Sequence, residues 1–305
     1  MKSGLINGAI DILRNVGYRV SDCSGSRSCF DILAKKDKIL LIKVLANIDG
    51  LTRRCSLELR NVASIISAIP LILSDHMKST KLCRGIIYTR YNIQVINIAT
   101  LEDIVNEKIP LIYSVRGNYC IKIDSSLLVK LRKGLDMTQQ ELADELGISK
   151  QSVRRYEFHG RMPVEVAEHL MKILKDNIAI PNDIFISDRF HPSYSYEGMG
   201  RRLTKLRRMV LEKFRGMGFF ATLTNAPFDI VAMESEDERI LTTVSDDGRR
   251  LKRKIDTIDE ISNIIGSYRV CISKRHEDSD VIIIKPRDLD KIKDSEELIQ
   301  MLADL

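Results

Sequence analysis

The sequence predicts a multidomain protein in which a small all-α domain sits between two repeated α/β domains. Three observations predict it. Met137 to Glu157 has the caps, turn glycine and apolar spacing of two short helices joined by a tight turn. The stretches on either side repeat one order of elements, and a run rich in Pro, Gly, Ser and Asn, Pro181 to Gly200, separates the middle from the second copy. The expected boundaries are 1–122, 123–180 for the helical domain, 181–200 for the linker and 201–305.

In the first copy an apolar helix, Ile6 to Val16, leads through Gly17-Tyr18 to Phe30-Asp31-Ile32-Leu33, a polar turn (Lys35 to Lys38) and a strand from Ile39 to Leu45. In the second, Leu203 to Phe214 leads through Gly218-Phe219 to Phe228-Asp229-Ile230-Val231, the turn Glu234 to Glu238 and a strand from Arg239 to Val244. Val62 to Ile69 and then Leu71 to Leu73 parallel Ile258 to Ile265 and then Val270 to Ile272. Each copy closes on a β-rich run and a short helix, Ile86 to Ile98 with Leu101 to Val105, and Val281 to Ile284 with Ser295 to Leu302. Helices alternating with β-rich runs predict an α/β layer in each copy.

In the middle, Asp124 or Ser125 can cap a first helix. Thr138 and Glu141 have the reciprocal spacing of a capping box, and Leu142, Ala143 and Leu146 share a face. Gly147 ends that helix and Ile148 plugs the turn. Ser149 caps a further helix with Val153 and Tyr156 inward and Lys150, Gln151, Arg154 and Arg155 outward. A short helix with long polar side chains on its N-terminal part is what a DNA major groove accepts. These residues, with Leu127-Leu128-Leu131-Arg132 before them and Pro163 and Val166 to Leu174 after, resemble the lambda-repressor-like (XRE-type) DNA-binding domain. The resemblance implies a five-helix domain in which Lys150, Gln151 and Arg155 read bases and Thr138, Gln139, Ser149, Ser152 and Arg154 hold phosphates. The stretch EFHGRMP after the second helix is longer than the Glu-x-Gly of that family, so a different loop is expected there.

The order helix, strand-Asp, turn, strand-Lys resembles the restriction-endonuclease-like and Holliday-junction-resolvase-like fold. There an Asp and an acid-x-Lys pair hold a divalent cation and support the attacking water. Asp31 and Lys43 match, but Leu41 stands where the acid belongs; in the second copy Asp229 persists while Leu241 and Thr243 take the other two places. Leucine cannot ligate a metal, so both sites are expected to be disabled. The plainer role for Asp31 and Asp229 is a carboxylate that caps the turn.

Composition limits the remaining classes. The net charge of +6 favours an anionic partner. The basic run with Arg201, Arg202, Lys205, Arg207 and Arg208 reads first as a solvated charged face, and the functional alternative is phosphate contact beside the helix-turn-helix. The six cysteines form no CxxC pair and read as reduced thiols in a cytoplasm, and the five histidines lie at no ligand spacing. No apolar run approaches the roughly 20 residues of a membrane span. No cofactor motif is present. The whole chain resembles an archaeal family of helix-turn-helix transcriptional regulators, which implies a DNA-binding regulator acting on double-stranded DNA. Paired reading domains imply a homodimer on a palindromic operator, with the flanking halves supplying the dimer interface. The alternative is a metal-dependent nuclease or junction-binding protein targeted by its helix-turn-helix.

Overall fold

A computed structural model describes residues 2–25, 28–185, 204–235, 238–245, 248–275 and 279–303. Arg201, Arg202 and most of the expected linker lie outside the described residues. The chain divides into two compact units, Met1–Leu73 with Ser187–Leu305, and Ser74–Ile186.

The first unit begins with α1 (Lys2–Asn15), whose Ile6, Ala9, Ile10 and Leu13 recur at helical spacing and are buried. Gly17, at φ +87°, turns the chain into β1 (Arg19–Asp22). An antiparallel meander follows through β2 (Ile32–Lys35) and β3 (Ile39–Asn47), then α2 (Arg53–Ile65), capped by Thr52, and β4 (Ala68–Met77), whose residues from Ser74 onward are counted in the second unit. The β-run expected from Ile86 belongs to the other unit.

The second unit contains β5 (Thr80–Lys81), β6 (Ile86–Arg90), β7 (Ile93–Ile96), α3 (Ile98–Val105), β8 (Ile112–Val115) and β9 (Asn118–Ile123). It continues with α4 (Ser125–Gly134), α5 (Gln139–Leu146), α6 (Lys150–His159), β10 (Arg161–Pro163), α7 (Val164–Leu174) and β11 (Ala179–Ile180). Where five helices were expected, the described residues form four. Lys175, at φ +54°, ends α7, and the chain returns as β11 along β9 instead of starting another helix. The helical core takes in Ile121 and Ile123 of β9 and Met162 of β10 beside Leu142, Val153 and Leu170, so the β8–β9 hairpin shares the core of the helices.

The first unit resumes with α8 (Lys205–Gly216), β12 (Phe220–Leu223), β13 (Ile230–Met233), β14 (Arg239–Val244), α9 (Gly248–Ile265), β15 (Tyr268–Ile272), β16 (Ile282–Ile284), α10 (Pro286–Leu289) and α11 (Ser295–Ala303). The strands are ordered β12-β13-β14-β15-β16, with β14, β15 and β16 parallel. The repeat holds to the level of register. Leu33 faces Leu41 across β2 and β3, and Val231 faces Leu241 across β13 and β14. Ahead of each pair an aspartate donates its backbone N–H across the ladder, Asp31 to Ile42 and Asp229 to Thr242, both at 2.8 Å.

The two copies pack on each other within this unit in a reciprocal way. Helix α9 lies on β1 and β2, while α2 lies on β13. Phe30 and Phe228, equivalent residues, meet with ring centroids 6.4 Å apart. The Arg19 guanidinium and Lys35 ammonium donate to the carbonyls of Ile264 (2.9 Å) and Ile265 (2.8 Å), where the dipole of α9 favours cations. Asn225 donates to the Glu58 carboxylate at 2.9 Å, and Arg239 to Ser67 just past α2. When equivalent residues meet and contacts are exchanged, the arrangement is that of a twofold dimer built inside one chain.

Candidate nucleic-acid interface

Local chemistry builds the helix pair as the sequence anticipates. The Thr138 hydroxyl accepts from the Glu141 N–H (3.2 Å) and the Glu141 carboxylate accepts from the Thr138 N–H (2.7 Å). The Thr138 backbone bond holds the Glu141 carboxyl below the ordinary carboxylate range. Gly147 caps α5 in the left-handed region at φ +67°, and Ser149 caps α6 by accepting from Ser152. Val153 and Tyr156 are buried, whereas Lys150, Gln151, Arg154 and Arg155 are exposed. Gln151 and Arg155 are one turn apart and so share a face. The Arg155 guanidinium rests 5.5 Å from the centre of the Tyr156 ring, which limits its rotamers.

The other expected phosphate ligands are engaged internally. Thr138 is spent on the capping box, and the Ser149 and Ser152 hydroxyls lie 3.0 Å apart in the cap of α6. Gln139 donates from its side-chain amide to Glu157 at 2.6 Å. Glu157 also takes the Arg132 guanidinium at 2.6 Å, and Arg132 donates to the Met137 carbonyl at 2.6 Å. Both partners are over nine-tenths buried in their side chains. One ion pair, with the bonds that Gln139 and Met137 add to it, thus locks α4, the start of α5 and α6 together. Nothing in the sequence joins Arg132 to Glu157, because a 25-residue separation leaves no local signal.

The stretch after Glu157 differs from a longer loop. Phe158 and His159 extend α6, and Gly160 caps it at φ +60° before β10 begins at once. The Ile123 N–H donates to the Gly160 carbonyl at 2.9 Å, and a Cβ at Gly160 would stand 2.8 Å from the Ile123 carbonyl oxygen. Gly160→Ala is therefore expected to destabilise more than Gly147→Ala, whose Cβ would meet nothing within 4 Å. Gly147→Ala carries only the left-handed cost of about 1–2 kcal/mol. Urea unfolding of both variants checks this, and equal losses would contradict it.

The nuclease-like positions are brought together, but not as a metal site. The Asp31 carboxylate, 2% exposed, takes the Lys2 ammonium at 2.9 Å, Lys43 at 3.2 Å and the Val44 N–H at 2.8 Å. Asp229 takes Arg207 at 2.6 Å, Lys254 at 2.8 Å and the Val244 N–H at 2.8 Å. Leu41 and Leu241 are fully buried where a second carboxylate would belong. A divalent cation needs several oxygen donors, so this donor set does not fit one: each lone carboxylate already faces two side-chain cations. Asp31 and Asp229 precede their strands rather than ending one, and each accepts from a backbone N–H of another strand, Val44 of β3 or Val244 of β14, instead of capping the turn that follows. The ion pair with Asp229 also draws Arg207 out of the expected run of phosphate ligands, while Lys205 and Arg208 are exposed.

The class of protein these features define is a helix-turn-helix protein with a nuclease-like α/β domain. Residues 2–111 match the family described as "PD-(D/E)XK superfamily domain", and residues 128–163 match "Helix-turn-helix". The chain is 31% identical to the "Putative HTH-type transcriptional regulatory protein" of Pyrococcus horikoshii, over 100% of this chain and 98% of that one. The protein of the same name in Methanococcus vannielii is 30% identical over 99% and 97%, and that of Methanocaldococcus jannaschii 29% over 100% and 98%. The chain belongs to this archaeal family of HTH-type transcriptional regulatory proteins. No solved structure matches it.

Proposed function

We propose that the chain is a sequence-specific, double-stranded-DNA-binding transcriptional regulator without catalytic activity. The observation that carries this reading is α6: an exposed row of Lys150, Gln151, Arg154 and Arg155 on a helix fixed from behind by the Arg132–Glu157 pair. Lys150, Gln151 and Arg155 read base edges, Arg155 suiting guanine O6/N7 and Gln151 adenine N6/N7, and Arg154 holds a phosphate. Lys205 and Arg208 are further phosphate ligands. Two chains bind a palindromic operator, their reading helices about one helical turn apart. Because the flanking halves already pair within one chain, the contact between copies uses other surfaces. We read the modules as 1–122, 123–180, 181–200 and 201–305, with the β8–β9 hairpin docked on the second.

Arg155→Ala is expected to weaken operator binding by roughly 1–3 kcal/mol and to leave binding to random duplex almost unchanged. Fluorescence anisotropy on both duplexes checks it; an equal loss on random DNA removes Arg155 from base reading. The second reading, a metal-dependent nuclease, has the PD-(D/E)XK match in its favour. Against it stand the buried leucines at the acid positions and the cation-paired aspartates.

A further inference from the structure

Strands β8 and β9 form a hairpin whose two-residue turn is Arg116-Gly117, both at positive φ (+52° and +88°). Two positive φ values at a two-residue turn match the twist of the flanking strands, but Asn or Gly usually stands where this chain has arginine. The hairpin is joined rigidly to the reading helix. Lys122 of β9 pairs with Arg161 of β10, one residue beyond the Gly160 cap, and the Ser125 hydroxyl donates to the Tyr156 carbonyl at 3.0 Å.

Strand alternation gives this sheet two unlike faces. Ile121, Ile123 and Met162 point into the helical core. Lys122 and Arg161 are on the other face, and both are exposed, as is Arg116 at the tip. That outer face and the C-terminal end of α6 line one open cleft of about 1440 Å³. Its charges are Arg116, Lys122, Arg155 and Arg161 against Asp124 and Glu165, and the Asp124 carboxylate is held as the cap of α4. The cleft is therefore cationic, and it continues the surface that α6 presents.

We propose that this hairpin is a wing that lies on the phosphodiester backbone of the same DNA duplex, beside the bases that α6 reads. The proposal rests on the reading of α6 as a DNA-reading helix. From Lys122 to Asn118 strand β9 covers about 13 Å at ~3.3 Å per residue, the axial rise of about four phosphates of one DNA strand, and Arg116 stands at the turn beyond it. Arg116 and Lys122 each take a phosphate; they add affinity and salt dependence but no sequence choice.

The test uses the full chain carrying Arg116→Ala with Lys122→Ala, and a second variant carrying Arg116→Lys with Lys122→Arg. Hydroxyl-radical footprints and the salt dependence of binding are read on a duplex bearing the protected site and on a random duplex. Loss of protection beside the site and a fall of about two units in the slope of log K against log salt are expected for the alanine variant, with the base pattern under α6 unchanged. The charge-conserving variant is expected to keep the wild-type slope. If the wild type protects a site and the alanine variant keeps both flanking protection and slope, the wing is overturned while the helix reading stands. If the wild type protects no site, the helix reading fails and the wing beside it is overturned with it; a slope on random duplex that still falls in the alanine variant then leaves only a non-specific phosphate contact by the hairpin.

Discussion

Replacing Glu157 by alanine is expected to loosen the helix-turn-helix by roughly 3–5 kcal/mol, the cost of stranding a buried charge. The variant leaves the Arg132 guanidinium, 7% exposed, without its carboxylate, and Gln139 without its acceptor. Hydrogen exchange on peptides covering α4 and α6 measures the effect directly, because their local stability need not equal that of the whole chain. Exchange is expected to quicken a hundredfold or more, and DNA binding to fall with it. Replacing both partners by apolar residues, Arg132→Met with Glu157→Leu, is expected to restore most of the stability, since no charge is then left unpaired. A loss below about 1 kcal/mol in the single variant would mean that packing alone holds α6 in place.

Asp229→Ala is expected to destabilise the first unit by roughly 2–4 kcal/mol, and Asp31→Ala by a similar amount. Each substitution leaves two cations facing one another and an unpaired backbone N–H, that of Val244 or Val44. The loss falls short of the fully buried case because Arg207 and Lys254 retain 36% and 27% of their side-chain exposure. Chemical denaturation reads it. The same geometry predicts that Mg²⁺ leaves the thermal midpoint of the wild type unchanged, since both carboxylates are already balanced. Bound at a hundred times its Kd, a cation would add about 2.7 kcal/mol. A clear rise of the midpoint with Mg²⁺, lost in Asp31→Ala, would restore the nuclease reading.

What the sequence revealed was local. Capping boxes and turn glycines act over three or four residues, so the sequence alone places Thr138, Glu141, Gly147 and Ser149 on their helix ends. The repeat was legible because Phe-Asp-Ile and the following strand recur in order, and the ladder registers place Leu41 and Leu241 at equivalent points. Distant pairings were not legible. Arg207 read as one more cation in a basic run, although Asp229 claims it from another element. The packing of one copy on the other depends on Phe30 meeting Phe228, nearly two hundred positions along the chain. The β8–β9 hairpin does carry a local signal, since Ile112 to Val115 and Asn118 to Ile123 are rich in β-branched and aromatic residues around Arg-Gly. Absorbed into the end of the first domain, it was not recognised as part of the helical core.

Footprinting the full-length protein on its own promoter region, at moderate salt with Mg²⁺ present, tests the central claim most directly. The expected result is symmetric protection of intact DNA, with two half-sites about one helical turn apart. Cleavage of the DNA, or binding to branched DNA with no protected sequence, would contradict it and would assign the activity to the nuclease-like halves instead of α6.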